Sequence, residues 1–260
     1  MDDYGLVYML VKVEFGRIPD SVFLEKIGHF AHNLRKDYIT APMMHIKAFK
    51  MNMNVINNGQ PEVTHFEVPM VTLLSPNKDY GVRVAPDFFV VHTRKYQNFS
   101  DISERVKKIL DSLIEQFDIS FYSFLGMRYV NKIKYDNEYE FSKEITRSEF
   151  LQPRVCDWPR AGSNMLSNYL DMSTGVAVTL NTGIVIDSDI LPPELMEVAS
   201  DIITQPKVLQ GPVAHIDIDV NLSSGEGESK EINVDEIINN MSILRNTANR
   251  AYKNITKNEN

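Results

Sequence analysis

The sequence predicts an α+β protein whose sheet is mainly antiparallel. Three features predict it. Strand-like segments follow one another through short Pro/Asp/Asn turns and not through crossover helices. One long, proline-free strand, Ile119 to Tyr135, sits near the middle of the chain. The order β-α-β-β-β-β-α reads twice, once over residues 1–118 and once over residues 119–260. Two similar halves are therefore expected, sharing one continuous sheet.

The first half opens with a strand over Tyr4 to Phe15, followed by the turn G-R-I-P-D-S. Asp20 or Ser21 is placed to cap a helix there. Phe23, Ile27, Phe30 and Leu34 recur at helical spacing and should face the core. Met44 to Val55 is a second strand, and N-N-G-Q-P-E a turn. Glu67 to Leu74, Tyr80 to Val84 and Phe88 to Tyr96 form a meander joined by S-P-N-K-D and A-P-D. A helix then starts at Ser100 or Asp101, with Glu104 in the capping-box position. Its stripe is Ile102, Val106, Ile109, Leu110, Leu113 and Phe117.

Side chains alternate along the central strand. Phe121, Ser123, Leu125, Met127, Tyr129, Asn131 and Ile133 should share one face. Tyr122, Phe124, Gly126, Arg128, Val130, Lys132 and Lys134 should share the other. Gly126, amid large residues, suggests a close approach by a neighbour. Beyond the strand, Ser142 to Leu151 reads as a short helix, and Q-P-R-V-C-D-W-P-R-A-G-S-N as a loop carrying Trp158 as a core plug. Gly175 to Leu180 and Gly183 to Ile186 read as a hairpin through Asn181-Thr182. Leu191 to Ser200 is a helical turn, and Lys207 to Gln210 and Ala214 to Leu222 are strands. Asn233 caps the last helix with Glu236 three residues on, and Ile237, Met241, Leu244, Ala248, Ala251 and Ile255 run along one side.

Composition bounds the function. The single cysteine, Cys156, excludes an internal disulfide and suits a reducing cytosol. The acidic start M-D-D-Y-G is unlike a signal peptide, and no apolar run approaches the roughly 20 residues that span a bilayer. A cytoplasmic, non-membrane protein is expected. Residues 1–135 hold 17 Lys and Arg against 15 Asp and Glu, a net of +2; residues 136–260 hold 10 against 20, a net of −10. That acidic half argues against general nucleic-acid binding and permits a basic protein partner.

Motifs for chemistry are sparse. No phosphate-binding glycine loop and no G-x-S-x-G elbow is present. His215, Asp217 and Asp219, in A-H-I-D-I-D-V, share one strand face. A His and two carboxylates suit a divalent metal, while the plainer reading is the polar, solvent-facing side of a half-buried strand. His29 and His32 are neighbours on a helix without an identifiable third ligand. Asp187 and Asp189 read as a loop cap after a strand. Arg128 in so apolar a strand needs a carboxylate partner across the sheet, or else binds an anion or a protein. No metal and no cofactor is expected.

The run R-V-A-P-D-F-F-V-V-H-T-R-K-Y-Q-N-F, a helix, F-L-G-M-R-Y-V-N-K-I, a late H-I-D-I-D-V and a terminal helix together resemble an uncharacterised, sporadically distributed bacterial family. The G-x-R-Y-x-N strand is its most specific part, matched by Gly126, Arg128, Tyr129 and Asn131. The resemblance runs from about residue 4 to 256 and is loose over 136–210. It implies no catalytic residues. Its sporadic distribution resembles that of mobile accessory genes, including anti-phage defence and toxin–antitoxin loci.

The expectation is a non-enzymatic binding or regulatory subunit with a protein partner, or a second copy, as its target. Arg128, Tyr129, Asn131, His215, Asp217 and Asp219 are the binding candidates. The alternative is a ligand-binding or metal-dependent enzyme using the cleft between the halves.

Overall fold

The computed structural model describes residues 5–41, 43–57, 60–133, 156, 162–187, 190–203, 212–225 and 227–256, with backbone alone for 46–57 and 60–66. The first stretch contains β1 (Gly5–Phe15), α1 (Asp20–Asn33), β2 (Ile39–Thr40), β3 (Met44–Asn57), β4 (Gln60–Leu74), β5 (Tyr80–Val84), β6 (Phe88–Thr93) and α2 (Phe99–Phe117). The second contains β7 (Phe121–Ile133), β8 (Ser163–Asp171), β9 (Val176–Ile186), α3 (Pro193–Ala199), β10 (Pro212–Ser223), β11 (Lys230–Glu231) and α4 (Val234–Ile255). The protein is α+β, and one sheet runs through it. The helix read at 142–151, Trp158, Asp189 and the strand read at 207–210 lie outside the described residues.

The sheet order is β2-β4-β5-β6-β1-β7-β10-β9-β8, with β3 paired to β4 and β11 to β7. Every pairing among the described residues is antiparallel. β1 and β7 meet at the centre, where Leu10 faces Arg128 and Val11 faces Met127. On one side lie β6, β5 and β4, and on the other β10, β9 and β8. Each stretch thus lays its last long strand beside its first and works outward in the same order.

One face of the sheet is covered by α1, α2 and α4. Phe23, Ile27 and Phe30 of α1, the whole predicted stripe of α2, and Ile237, Met241 and Leu244 of α4 pack onto Met9, Val11, Val82, Val91, Met127 and Ile218. Burial of these side chains, at roughly 25 cal/mol per Å² of apolar surface, is the main stabilising term. The other face carries a smaller layer. There Ile190, Leu191, Leu195, Ala199 and Ile202, in and around α3, cover Tyr8, Val130 and Val213.

Local details differ from expectation in four places. Asn98, not Ser100 or Asp101, caps α2, accepting from the Asp101 amide through its side chain at 3.0 Å. Pro19 precedes α1 without a side-chain cap, and Asp20 is already helical. Asn181-Thr182 is no turn: both residues sit within β9, Asn181 opposite Asp217 and Thr182 opposite Ile216. The hairpin lies instead between β8 and β9, where Gly175 takes φ +72° and Asp171 accepts from the Ser173 and Thr174 hydroxyls at 2.7 Å each. Finally, the β1–β7 register shifts between Glu14 and Phe15, so that Phe15 faces Tyr122. This irregularity moves Tyr122 onto the helix-covered core and leaves Phe121 52% exposed, the reverse of strict alternation. The Asn233 cap of α4 is as read, accepting from the Glu236 amide at 3.1 Å. No helix among the described residues is long and apolar enough to cross a membrane.

Candidate functional site

The side chains of β5, β6, β1, β7 and β10 that face α3 bring several buried polar groups together. Along one row of cross-strand partners stand Gly81, His92, Leu10, Arg128 and Asp219. Parallel to it run Arg83, Val90, Lys12, Gly126 and Asn221. Two arginines from this face reach up to α3 and its flanks.

Arg128 donates from Nε to Asp217 Oδ1 at 2.9 Å and from Nη2 to Asp217 Oδ2 at 2.6 Å, and again from Nη2 to Glu194 Oε1 at 2.7 Å. The fork matches a carboxylate's geometry, and an ionised pair of this kind is stronger than a neutral hydrogen bond. Asp217 is 2% exposed, so the pair is internal. This corrects the reading of the His215–Asp217–Asp219 face as solvated: His215 and Asp217 are buried, and Asp219 is half-buried in the cleft beneath α3. The partner expected for Arg128 across the sheet is Asp217.

Arg83 does the same from the other side. It donates from Nε to Asp201 at 2.6 Å, from Nη2 to Asp201 at 3.0 Å, from Nη1 to Glu197 Oε1 at 2.9 Å and from Nη2 to the Glu197 carbonyl at 2.7 Å. Beneath Asp201 lies His92, fully buried, its Nε2 3.5 Å from Asp201 Oδ2 and its Nδ1 2.9 Å from the Tyr8 hydroxyl. Burial pushes the His92 imidazole below its ordinary pKa, and the neighbouring Asp201 opposes this. Burial also pushes the Tyr8 hydroxyl well up. Among the described residues His92 Nε2 makes no hydrogen bond at its 3.5 Å distance from Asp201; a proton on Nε2 would face the acceptor-only Asp201 carboxylate and leave Nδ1 to accept from Tyr8.

Glycines make room for both buried histidines. A Cβ on Gly81 would stand 2.2 Å from His92 Nε2, and one on Gly183 would stand 2.9 Å from His215 Cε1. Gly126 plays the same part for Phe124, whose ring would be 2.7 Å from an added Cβ. The close approach expected at Gly126 is therefore that of Phe124.

Between α3 and the sheet a cleft of about 300 Å³ remains. Leu10, Phe88, Val90 and Phe124 line it from the sheet, and Leu195 and Val198 from α3. Lys12, Arg128, Glu194 and Asp219 supply its charges. The Lys12 ammonium lies over the Phe88 ring at 5.1 Å and the Phe124 ring at 5.8 Å, and pairs with Glu14 at 2.5 Å. Burial pushes the Asp219 carboxyl up to about 6, against the pull of Arg128.

The predicted site residues thus divide. Arg128 and Asp219 line the cleft, and Asp217 lies beneath Arg128. His215 lies outside it, with Nδ1 buried and without a hydrogen-bond partner among the described residues. Tyr129 and Asn131 point to the opposite face. Tyr129 packs edge-on against Tyr96 with ring centroids 6.4 Å apart, and Asn131 donates to the Ile216 carbonyl at 3.3 Å. Among the described residues no three His, Cys, Asp or Glu side chains are grouped to hold a metal. His29 and His32 lie exposed on α1. Asp187 follows β9 at φ +48°. Arg83, His92 and Asp201 were not singled out by sequence reasoning; the signal was an Arg and a His alternating with apolar residues on two short strands.

A second concave feature lies at the far end of the sheet. β8 is its last strand and pairs only with β9 among the described residues. Met165, Ser167 and Tyr169 of β8 and Arg250, Ala251 and Asn254 of α4 border a groove of about 820 Å³. Arg250 pairs with Asp171 across it. Leu166 is 63% exposed, Tyr169 53%, Leu170 58% and Met172 84%.

No family model matches this chain, and no curated protein matches it.

Proposed function

We infer that the protein is a non-enzymatic binding subunit that captures an extended segment of a protein partner along the β8 edge. One observation carries this reading. The outer edge of β8, S-N-M-L-S-N-Y-L-D, is unpaired among the described residues and exposes Leu166, Tyr169 and Leu170, with Met172 just beyond. Edge strands are ordinarily blunted by Lys, Pro or a bulge, and this one has none of them. An added strand would gain a ladder of main-chain hydrogen bonds, while its alternate side chains meet apolar residues on both faces. The net of −10 over residues 136–260 favours a segment with basic flanks. On the resemblance of the G-x-R-Y-x-N strand alone, the setting is a bacterial accessory, anti-phage or toxin–antitoxin system, acting in the cytoplasm.

Affinity capture from a bacterial host compares the native protein with the double variant Leu166→Lys, Leu170→Lys. The reading expects a partner on the native protein, crosslinked to β8, and its loss from a variant that melts normally. Capture of the same partner by the variant would place the surface elsewhere. The cleft under α3 favours a second reading, the binding of a small ligand.

A further inference from the structure

We propose that the cleft between α3 and the sheet is a binding site for a primary alkylammonium group, seated against Asp219. The inference is independent of the β8 edge. It starts from the pairing of the charges. Arg128 is shared between Asp217 and Glu194, and Lys12 is paired with Glu14. Among the described residues Asp219, alone of the cleft's charged residues, has no hydrogen bond or ion pair, and Arg128 and Lys12 act on it only at longer range. It faces Arg128 across the β7–β10 register, yet the guanidinium turns to the diagonal Asp217. A half-buried carboxylate without a partner is unfavourable, and a cation brought to it is attracted more strongly than in water.

The walls point to the same ligand. Phe88 and Phe124 already hold one ammonium, that of Lys12, over their ring faces. Leu10, Val90, Leu195 and Val198 offer an apolar lining for a short carbon chain. The volume of about 300 Å³ is at the small end of ligand pockets. An anion would find no free cation among the described residues of the cleft, because Lys12 and Arg128 are both engaged. Around Asp219 stand Lys12 on β1, Arg128 on β7, Asp217 on its own strand and Glu194 on α3, so that with Asp219 itself three carboxylates face two cations, both already paired.

The ammonium could belong to a free amine or to the lysine side chain of a peptide. Titrations with n-butylamine and with N-acetyl-lysine amide, followed by amide chemical shifts of Gly126 and Leu195, test both, with butyrate as the anionic control. At least one ammonium probe should shift these signals and butyrate should not. Tighter butylamine binding assigns the site to free amines, and tighter lysine-amide binding to a peptide side chain. Because the carboxyl titrates near 6, the affinity should rise about tenfold from pH 5 to pH 7. Asp219→Asn, which keeps the shape, should weaken binding at pH 7 by at least about tenfold and abolish that pH dependence. Absence of binding by both ammonium probes at tens of millimolar, equal binding of butyrate, or unchanged binding to a folded Asp219→Asn protein would overturn the proposal.

Discussion

Arg128 stands directly opposite Asp219 in the sheet but gives both arms of its fork to Asp217, two residues earlier on β10. The choice has a physical basis. Asp217 is 2% exposed and would be stranded without a cation, whereas Asp219 is partly open to the cleft and raises its pKa instead.

Removal of Arg128 therefore falls mainly on Asp217. Arg128→Ala is expected to lower the unfolding free energy by about 3–5 kcal/mol, the usual cost of leaving a buried charge unpaired. Arg128→Lys should recover little, since an ammonium cannot reproduce the fork. The double variant Arg128→Met, Asp217→Leu should regain most of the loss. Urea denaturation of the four proteins measures this, and a near-neutral Arg128→Ala would mean that Asp217 is hydrated in solution.

The three tight glycines should differ in tolerance. At Gly183 an added Cβ meets the Ser163 carbonyl oxygen at 2.1 Å, a backbone atom of the neighbouring strand that cannot step aside. At Gly81 it meets the fully buried His92 ring, and at Gly126 only the Phe124 ring, which borders the cleft. Alanine should therefore cost most at Gly183, by about 1–3 kcal/mol or more, less at Gly81 and least at Gly126. Gly126→Ala should narrow the cleft with little change in melting temperature. Thermal melts of the three variants give the ranking, and equal effects would contradict it.

Much of the fold was legible because its signals are local. The stripes of α1, α2 and α4, the Asn233 cap and the alternation of β10 all follow from spacing. Arg128's need for a carboxylate was legible too, since an arginine in an apolar strand must be satisfied. The identity of that carboxylate was not, because Asp217 lies 89 residues away and three acids on β10 and α3 compete. The burial of the H-I-D-I-D face, with Asp219 beneath α3, was equally hidden. A seven-residue helix has too weak a pattern to announce where it docks. The bulge near Tyr122 defeated strict alternation, which cannot foresee an extra residue.

Stability should depend on pH through two opposed contributions. His92 and His215 have folded pKa values lowered by burial, so the unfolded chain binds more protons near neutrality. Their contribution is whole above the unfolded value of about 6.5 and is lost as the pH falls toward the lower folded values. Asp219 acts in reverse. Its folded pKa of about 6 lies above the unfolded value, so its contribution is present in acid and lost as the pH rises through 6. Asp219→Asn should stabilise the protein at pH 8, by up to about 3 kcal/mol, and make its loss of stability between pH 7 and pH 5 steeper. Urea midpoints at unit pH steps test the sign. A variant with the wild-type slope would show that Asp219 is ordinary in solution.

The last prediction concerns what holds α3 in place. Four carboxylates meet Arg83 and Arg128, but they are not equivalent. The Glu194 and Glu197 side chains are 61% and 68% exposed, whereas Asp201 and Asp217 are 8% and 2% exposed. Exposed ion pairs contribute about 0–1 kcal/mol, since solvent screens them and two long side chains must be ordered. Glu194→Gln and Glu197→Gln should each cost less than about 1 kcal/mol. Asp201→Ala leaves Arg83 buried with only Glu197 to answer it and removes the acceptor facing His92, so it should cost about 3–5 kcal/mol. Native-state hydrogen exchange adds a local readout. Weakening either buried pair should speed exchange at the α3 amides 195–199 more than at Met127 or Ile218 in the central strands. If all three substitutions cost the same, or if exchange rises uniformly across the sheet, α3 is fixed by the apolar contacts of Leu195 and Ala199 and the arginines only accompany it.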